Sequence, residues 1–540
     1  MSKQKSNPKK ASAGGVRPVR AAAGSGEPRR APLLLPVVPL FFLVLWVWSA
    51  IYFGHVFRVC REYSFWVPGQ DGQMDYLLSH SFGALWYIGR MLLQLFRYPW
   101  AGGLLLAAML SMGSWLLGYA LRLRGRWRWV QYIPALAYMA VLSYHGLDIF
   151  FEAETGRILG VPFVIFLVLS IWGVMIRSFS RKPTPAIVGI PRDETPRQNY
   201  LQLLVILAGV LGVVGYNEWK RPEVRVICRL MDAQYSQDWE TIQRVARSNA
   251  EMSNRPMAAY YAMALVHTDQ IATRVYDIRL DYDSLHIHGM DWHGNNASAM
   301  YIPEGSYHAG LIETSYHQCM EQMVMTGPTV RLLHLMVKCA LMRDEWELAR
   351  KYLRILSDVP FEGGFIRKYS AMVGKPDLVN ADVEMAKLRL TEPIHDSFEN
   401  QYQQPTFMGY NLALVEGRSM NALYNSLAVC LYTKVMPDFM MRLNPLVGTT
   451  PPDNFADGIL LCRNKKEGIE KQFTGLNLRE PRLDAYMKTV QPYMKDRARY
   501  ARELFPRYKG YYPYYYFFGN LKATRKSQKG SNLSSMSGVN

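Results

Sequence analysis

Cysteine is scarce in this chain. The 540 residues include six, Cys60, Cys228, Cys319, Cys339, Cys430 and Cys462. None pair as CxxC and none stand at zinc-ligand spacing, which excludes a zinc finger and a thioredoxin-like motif. Buried free thiols on helices are expected, although an oxidising compartment would permit a disulfide among the last five. Nucleotide and catalytic signatures are missing too. No GxxxxGK[ST], GxGxxG, GxSxG, HExxH or EF-hand pattern occurs in a usable context. Strand-like alternation is scarce. Acidic residues are in deficit, with 44 Asp+Glu against 62 Lys+Arg and a net charge of +18. A basic chain raises nucleic-acid binding as a class, but the basic clusters flank apolar runs and no nucleic-acid motif accompanies them, so no such partner is expected. The composition, 49% hydrophobic and 20% charged, excludes a collagen-like, fully disordered or small disulfide-dense protein.

What is present is uneven. Mean hydropathy is only −0.08, yet nearly all the long apolar runs fall before Tyr216. Residues 1–220 hold 23 basic and 10 acidic residues, leaving 39 and 34 for the remainder. A membrane span needs ~20 mostly apolar residues. Five runs qualify, at 33–53, 100–121, 129–150, 158–176 and 200–216, with Tyr, Trp and Arg at their ends as the headgroup layer favours. The first is too long and too late for a simple signal peptide, and no small-residue cleavage site follows it. A sixth stretch, 76–96, carries Ser79, His80, Arg90 and Gln94, and an arginine in mid-span is expensive. If 76–96 lies along the outer interface as an amphipathic helix, the basic N-terminal tail, the segment RLRGRWR and residues 177–197 share one side with 17 Lys/Arg, against six outside. The positive-inside rule then places the N-terminus in the cytoplasm. Everything after Tyr216 is expected outside, in the periplasm of a bacterial inner-membrane protein.

Residues 1–30 and 521–540 are small, basic and polar, the composition of disordered tails. Asn217 to Pro222 reads as a short tether. Beyond it, residues 217–520 read as helices. VRVICRLMDAQYSQDWETIQRVARSN gives two amphipathic helices around a polar break at 236–238. LLHLMVKCALMRDEWELARKYLRIL repeats the plan, with its break at 343–344. Further helices fit 256–265, 378–390, 420–432, 436–443 and 481–503. The fold class expected is all-α: a polytopic helical bundle followed by an extracytoplasmic solenoid-like domain resembling degenerate tetratricopeptide repeats.

Four stretches carry a family resemblance: PGQDGQMDYLLSH after the first span, YHAGLIETSYHQCMEQMV, DEWELARKYLRIL with DVPFEGGFIRKY, and the aromatic YYPYYYFF. Together they resemble an uncharacterised family of multi-span membrane proteins of Gram-negative gut bacteria with a tetratricopeptide-like external part. The first stretch reads PGG in similar proteins, and here Gln70 and Asp71 interrupt it. The resemblance covers most of 33–520 and implies no catalytic residues or cofactor.

Several constellations suggest chemistry. His286, His288, Asp291 and His293 are the residues placed to hold a metal, but no metal site is expected: Gly289 and Gly294 and the lack of HExxH fit a polar surface loop better. Glu62, Asp71 and Asp75 of the first external loop would serve a glycan or lipid transferase as general base or metal ligand. Asp148, Glu152 and Glu154 end the third run at the water boundary, and His145 lies one turn deeper. The run YKGYYPYYYFFGN, with six tyrosines and two phenylalanines, reads as a cap on the last helices. The function expected is a non-enzymatic scaffold that binds other envelope or membrane proteins, with the lipid bilayer as its second partner and no cofactor. The alternatives are the transferase and a transporter accessory.

Overall fold

The computed structural model describes residues 37–69, 71–123, 125–146, 154–179, 196–252, 254–280, 300–392, 419–463 and 468–519, without the side chains of 71–73 and 176–179. Among these residues all regular structure is helical. Three helices are long and apolar enough to cross a membrane: α5 (Pro99–Ala120), α7 (Arg157–Phe179) and α8 (Pro196–Lys220). A fourth run is broken. The helix α1 (Val37–Val47) passes into a π-helical turn at Trp48–Tyr52 and meets α2 (Gly54–Glu62) at a bend of 60°. The bend has local causes. The Ser49 hydroxyl donates back to Leu45 O at 2.8 Å and reaches Gly103 O on α5 at 3.2 Å, and a π-bulge of this kind kinks a helix. The run expected at 129–150 is divided into a 3-10 stretch (Gly125–Tyr132) and α6 (Ile133–His145). At 13 residues α6 is shorter than a span by itself, and 147–153 lie outside the described residues.

Proline shapes α7. Pro162 has no N–H to offer the carbonyl of Ile158, four residues earlier. The Tyr138 hydroxyl of α6 supplies the missing donor at 2.8 Å. The stretch 76–96 forms parts of two short helices, α3 (Asp71–Leu78) and α4 (Gly83–Leu93), followed by a 3-10 turn. α4 lies against the start of α7 with almost no space between backbones: a Cβ on Gly89 would stand 1.8 Å from Gly156 O. Arg90, expensive as an isolated charge, is paired with Glu154 at 2.5 Å and donates to Phe65 O at 3.3 Å.

No tether separates the two halves. α8 runs to Lys220 and α9 (Pro222–Tyr235) begins two residues later, with proline at its first position, where a missing N–H has no partner to lose. One residue, Arg221, joins them. From here the chain forms short helical hairpins: α9 with α10 (Trp239–Ser248), α11 (Arg255–His267) with α12 (Ile271–Arg274), α13 (Ile302–His308) with α14 (Ile312–Thr326), α15 (Val330–Met342) with α16 (Trp346–Ser357), and, after α17 (Gly363–Ser370), α18 (Pro376–Ala381) and α19 (Val383–Arg389), α20 (Met420–Thr433) with α21 (Met436–Arg442). These five hairpins turn in the same way. A residue with positive φ ends the first helix: Gln237, Asp269, Gly310, Asp344 and Lys434. The next N–H then donates five residues back, as in Asp238 to Ala233 O at 2.8 Å and Glu345 to Ala340 O at 2.9 Å. This is the Schellman arrangement that satisfies the last carbonyls of a helix. The expected helix 378–390 is divided at Asp382, whose carboxylate caps α19. The expected helix 481–503 becomes α23 (Glu480–Val490), a 3-10 turn containing Pro492, and α24 (Arg497–Tyr508), after α22 (Asp453–Cys462). The chain then closes with α25 (Tyr512–Phe518).

Apolar burial forms two main cores. One is continuous from the N-terminal helices (Phe41, Leu106, Met139) through 224–301 to 427–518. The second holds residues of 307–388 together with Phe65 and Val67 from the segment after α2. We call 307–388 the middle lobe, and 224–301 with 427–518 the end lobe. All six cysteines are free and buried.

Candidate functional site

The segment after α2 is clamped into the middle lobe by charge. α2 ends on Arg61 and Glu62, both buried. Arg61 contacts Glu62 at 3.0 Å and Glu362 at 2.6 Å, and donates to Pro360 O at 2.8 Å and Gln94 Oε1 at 3.1 Å. Arg97 reaches Glu62 at 3.2 Å, and His334 of α15 reaches Glu362 at 2.7 Å. The His334 ring is held by a stack on Phe365 with centroids 3.8 Å apart. Each carboxylate is therefore taken by two cationic or imidazole partners. Burial works to raise the Glu362 carboxyl, but the His334 hydrogen bond and the charges of His334, Arg61 and Arg97 outweigh it and hold it at about 2. Val330 N donates to Ser64 O at 3.2 Å, and Phe361 meets Tyr98 edge-on at 5.8 Å, which flanks the charges with backbone and aromatic contacts.

Two further buried networks tie the lobes together. Arg331 of α15 donates to both Glu304 oxygens at 2.7 Å and to Gln322 at 2.7 Å, with its guanidinium 4.6 Å from the Tyr63 ring. Burial raises the Glu304 carboxyl, opposed by Arg331. The second network joins His267 of α11 to His308 of α13, with Nε2 and Nδ1 2.8 Å apart. The Gln234 amide lies against the other ring nitrogen, His308 Nε2, at 3.0 Å. Trp239 stacks on His267 at 4.1 Å. Burial drives both histidines well below their ordinary value, and each also feels a like charge, His308 beside His267 and Lys338 beside His308. Lys338 is neutralised by Glu384 at 3.0 Å.

The residues singled out from sequence are distributed differently. Glu62 is in the clamp. Asp75 is exposed on α3, and the Asp71 side chain lies outside the described residues. His286, His288, Asp291 and His293 lie outside them as well, as do Asp148 and Glu152. Among the described residues no group of three or more His, Cys, Asp or Glu is placed to hold a metal. His317 is exposed and pairs with Glu321, and His145 is half-buried. The aromatic run is buried in the end lobe: Tyr512 donates to Leu431 O at 3.2 Å and Tyr515 to Tyr432 O at 2.8 Å. Sequence reasoning missed Arg331, Arg61 and His267. For Arg331 a signal existed, an arginine inside the apolar stripe VRLLHLMV, where only a paired charge is tolerated.

Residues 151–519 match the model of a family of unknown function (DUF6057). Neither a curated protein nor a solved structure matches the chain.

Proposed function

From the premise that the chain belongs to that family of unknown function, we propose that it is a multi-pass protein of the bacterial inner membrane that presents a helical scaffold on the periplasmic side. In this reading five spans and an interfacial helix anchor it, the N-terminus is cytoplasmic, and the hairpins from α9 onward form a tetratricopeptide-like surface for another envelope protein. One observation carries the reading. Five hairpins share one turn, and buried charge fixes the middle lobe to the end of α2. Repeated hairpins present extended surfaces that bind partners. The charge pairs that hold Glu62 serve rigidity, which a scaffold needs and a general base does not.

The test is crosslinking of the full-length protein in its own membranes, with the crosslinked positions mapped by peptide mass spectrometry. A discrete envelope protein joined through residues after 221 is expected. Crosslinks confined to the spans, with co-purifying glycan or lipid whose turnover is lost in Asp75→Ala, would replace the scaffold by the transferase. Cysteine accessibility from each side of sealed vesicles checks the orientation independently.

A further inference from the structure

A cavity of ≈ 160 Å³ lies between α5, α6 and α7. Its lining is almost wholly apolar, and three features set it apart from a packing defect. Gly113 is buried, yet a Cβ built on it would meet nothing within 4 Å, so this glycine opens into free space rather than into a neighbour. Val161 and Ile165 on the α7 wall are 41% and 49% exposed, so the wall gives onto the outside of the bundle. The third feature is polar. Gln131 lines the cavity at 2% exposure, and its Nε2 has no hydrogen-bond partner among the described residues. The other hydroxyls of the lining are engaged, Ser114 with Leu110 O and Tyr138 with Ile158 O, both at 2.8 Å. A buried amide N–H without an acceptor is unfavourable.

An apolar cavity of ~150 Å³ takes a benzene-sized group and stays dry, so the occupant is hydrocarbon that brings one acceptor and no donor. Gln131 stands at one end, over Gly118 near the end of α5. The arginine-rich turn that follows α5, with Arg122, Arg126 and Arg128, lies beside it in the chain. Hydrocarbon, then a carbonyl, then a site for negative charge is the order of groups along a phospholipid. We propose that the α5–α6–α7 cavity is a binding site for the carbonyl-proximal part of one acyl chain of a phospholipid from the leaflet on the side of that turn, with its ester carbonyl accepting from Gln131 Nε2 and the rest of the chain leaving past Val161 and Ile165. This rests on reading α5 and α7 as spans.

The experiment uses the full-length protein in vesicles of phosphatidylethanolamine and phosphatidylglycerol containing a trace of phospholipid with a diazirine in its acyl chain. After irradiation the labelled peptides are mapped. Label is expected to concentrate several-fold on the α5 and α7 peptides holding Gly113 and Ile165, relative to α8, whose Leu204, Leu207 and Leu211 are 64%, 60% and 59% exposed. Gly113→Leu fills the cavity and should bring that label down to the α8 level, leaving α8 unchanged. Gly113→Ala, which the space accepts, should do so in part and stands in if the larger side chain prevents folding. Gln131→Leu should lower cavity label about fivefold, the factor for one neutral hydrogen bond. Equal labelling of α5, α7 and α8, indifferent to Gly113→Leu, overturns the site while leaving the spans intact. A chain that takes no label on any helix and washes off the vesicles in alkaline carbonate overturns the span reading, and the site with it.

Discussion

The middle lobe buries ion pairs where the end lobe buries tyrosines. In the first, Arg331–Glu304, Arg61–Glu362, His334–Glu362 and Lys338–Glu384 sit inside or along the core. In the second, the rings of Tyr276, Tyr432, Tyr512 and Tyr515 lie against one another, and Tyr512 and Tyr515 donate their hydroxyls to main-chain carbonyls, while Arg479–Asp457 buries only its carboxylate and Arg463–Asp484 stays near the surface. The difference follows from what each lobe adjoins. The end lobe shares a continuous apolar core with the N-terminal helices, and the partly exposed pairs of Asp232 with His55 and Arg58 only supplement it. The middle lobe touches those helices mainly through Phe65 and Val67. A small apolar contact is permissive about orientation, whereas opposed charges in a dry seam accept few geometries.

The sharpest break of that contrast is Arg331→Met. It leaves the Glu304 carboxyl buried without its cation, which is unfavourable by about 3–5 kcal/mol. The buried thiols report each lobe separately, Cys319 and Cys339 for the middle lobe and Cys430 and Cys462 for the end lobe. In a denaturant series with a thiol reagent, the first pair should be labelled earlier in Arg331→Met and the second pair little changed. The further change Glu304→Leu should recover most of the loss, because removing both charges is far less harmful than orphaning one. Equal exposure of all four thiols would mean the lobes do not unfold separately.

Acid should act with opposite signs on the seam between the lobes and on the interior of the end lobe. His267 and His308 are held well below their ordinary 6.5, so the unfolded chain binds more protons below that value. The stability they contribute is present above pH 6.5 and falls as pH drops beneath it, by up to about 1.4 kcal/mol per histidine per pH unit. Burial raises Asp457 of the end lobe from 3.8 to about 6 against the pull of Arg479. There the folded state binds the proton more readily, so stability is gained as pH falls through about 6. Moving from about pH 7.5 to about pH 5.5 should lower the denaturant midpoint for Cys319 and Cys339, whose lobe meets the end lobe through His308, more than that for Cys430 and Cys462, where the loss at His267 is offset by the gain at Asp457.

Smaller effects refine the comparison. Tyr515→Phe removes one buried hydrogen bond from the end lobe and should cost about 1 kcal/mol, read as a fall in the denaturant midpoint for Cys430. Asp344→Gly relieves an exposed left-handed residue in the α15–α16 turn. It should raise the midpoint for Cys339 slightly, by about 0.5 kcal/mol or less, because glycine also gains freedom in the unfolded chain.

Helices and their breaks were legible because they depend on local chemistry. The apolar runs, the turns at 236–238 and 343–344 and the helix beginning near Met420 all follow from periodicity and short-range signals. The division at Asp382 and the bend after Trp48 were not, since the first is an alternative cap inside an apolar stripe and the second needs Gly103 from another helix. The site was legible only in part. Glu62 was marked for its position after a long apolar run, but its meaning depends on Glu362 and Arg97, which no local pattern links to it. His308 meets His267, which no local pattern links to it. The histidine-rich stretch from His286 to His293 lies outside the described residues.

The clamp also has a timetable. Arg61 donates to Pro360, 299 positions later in the chain, and a chain is made from its N-terminus. For most of translation Arg61 and Glu62 exist without Glu362, His334 or Pro360, and the Phe65 and Val67 wedge lacks the middle lobe it enters. The seam therefore closes only after the ribosome has passed α17. A chain truncated before Glu362 leaves Arg61 without that carboxylate.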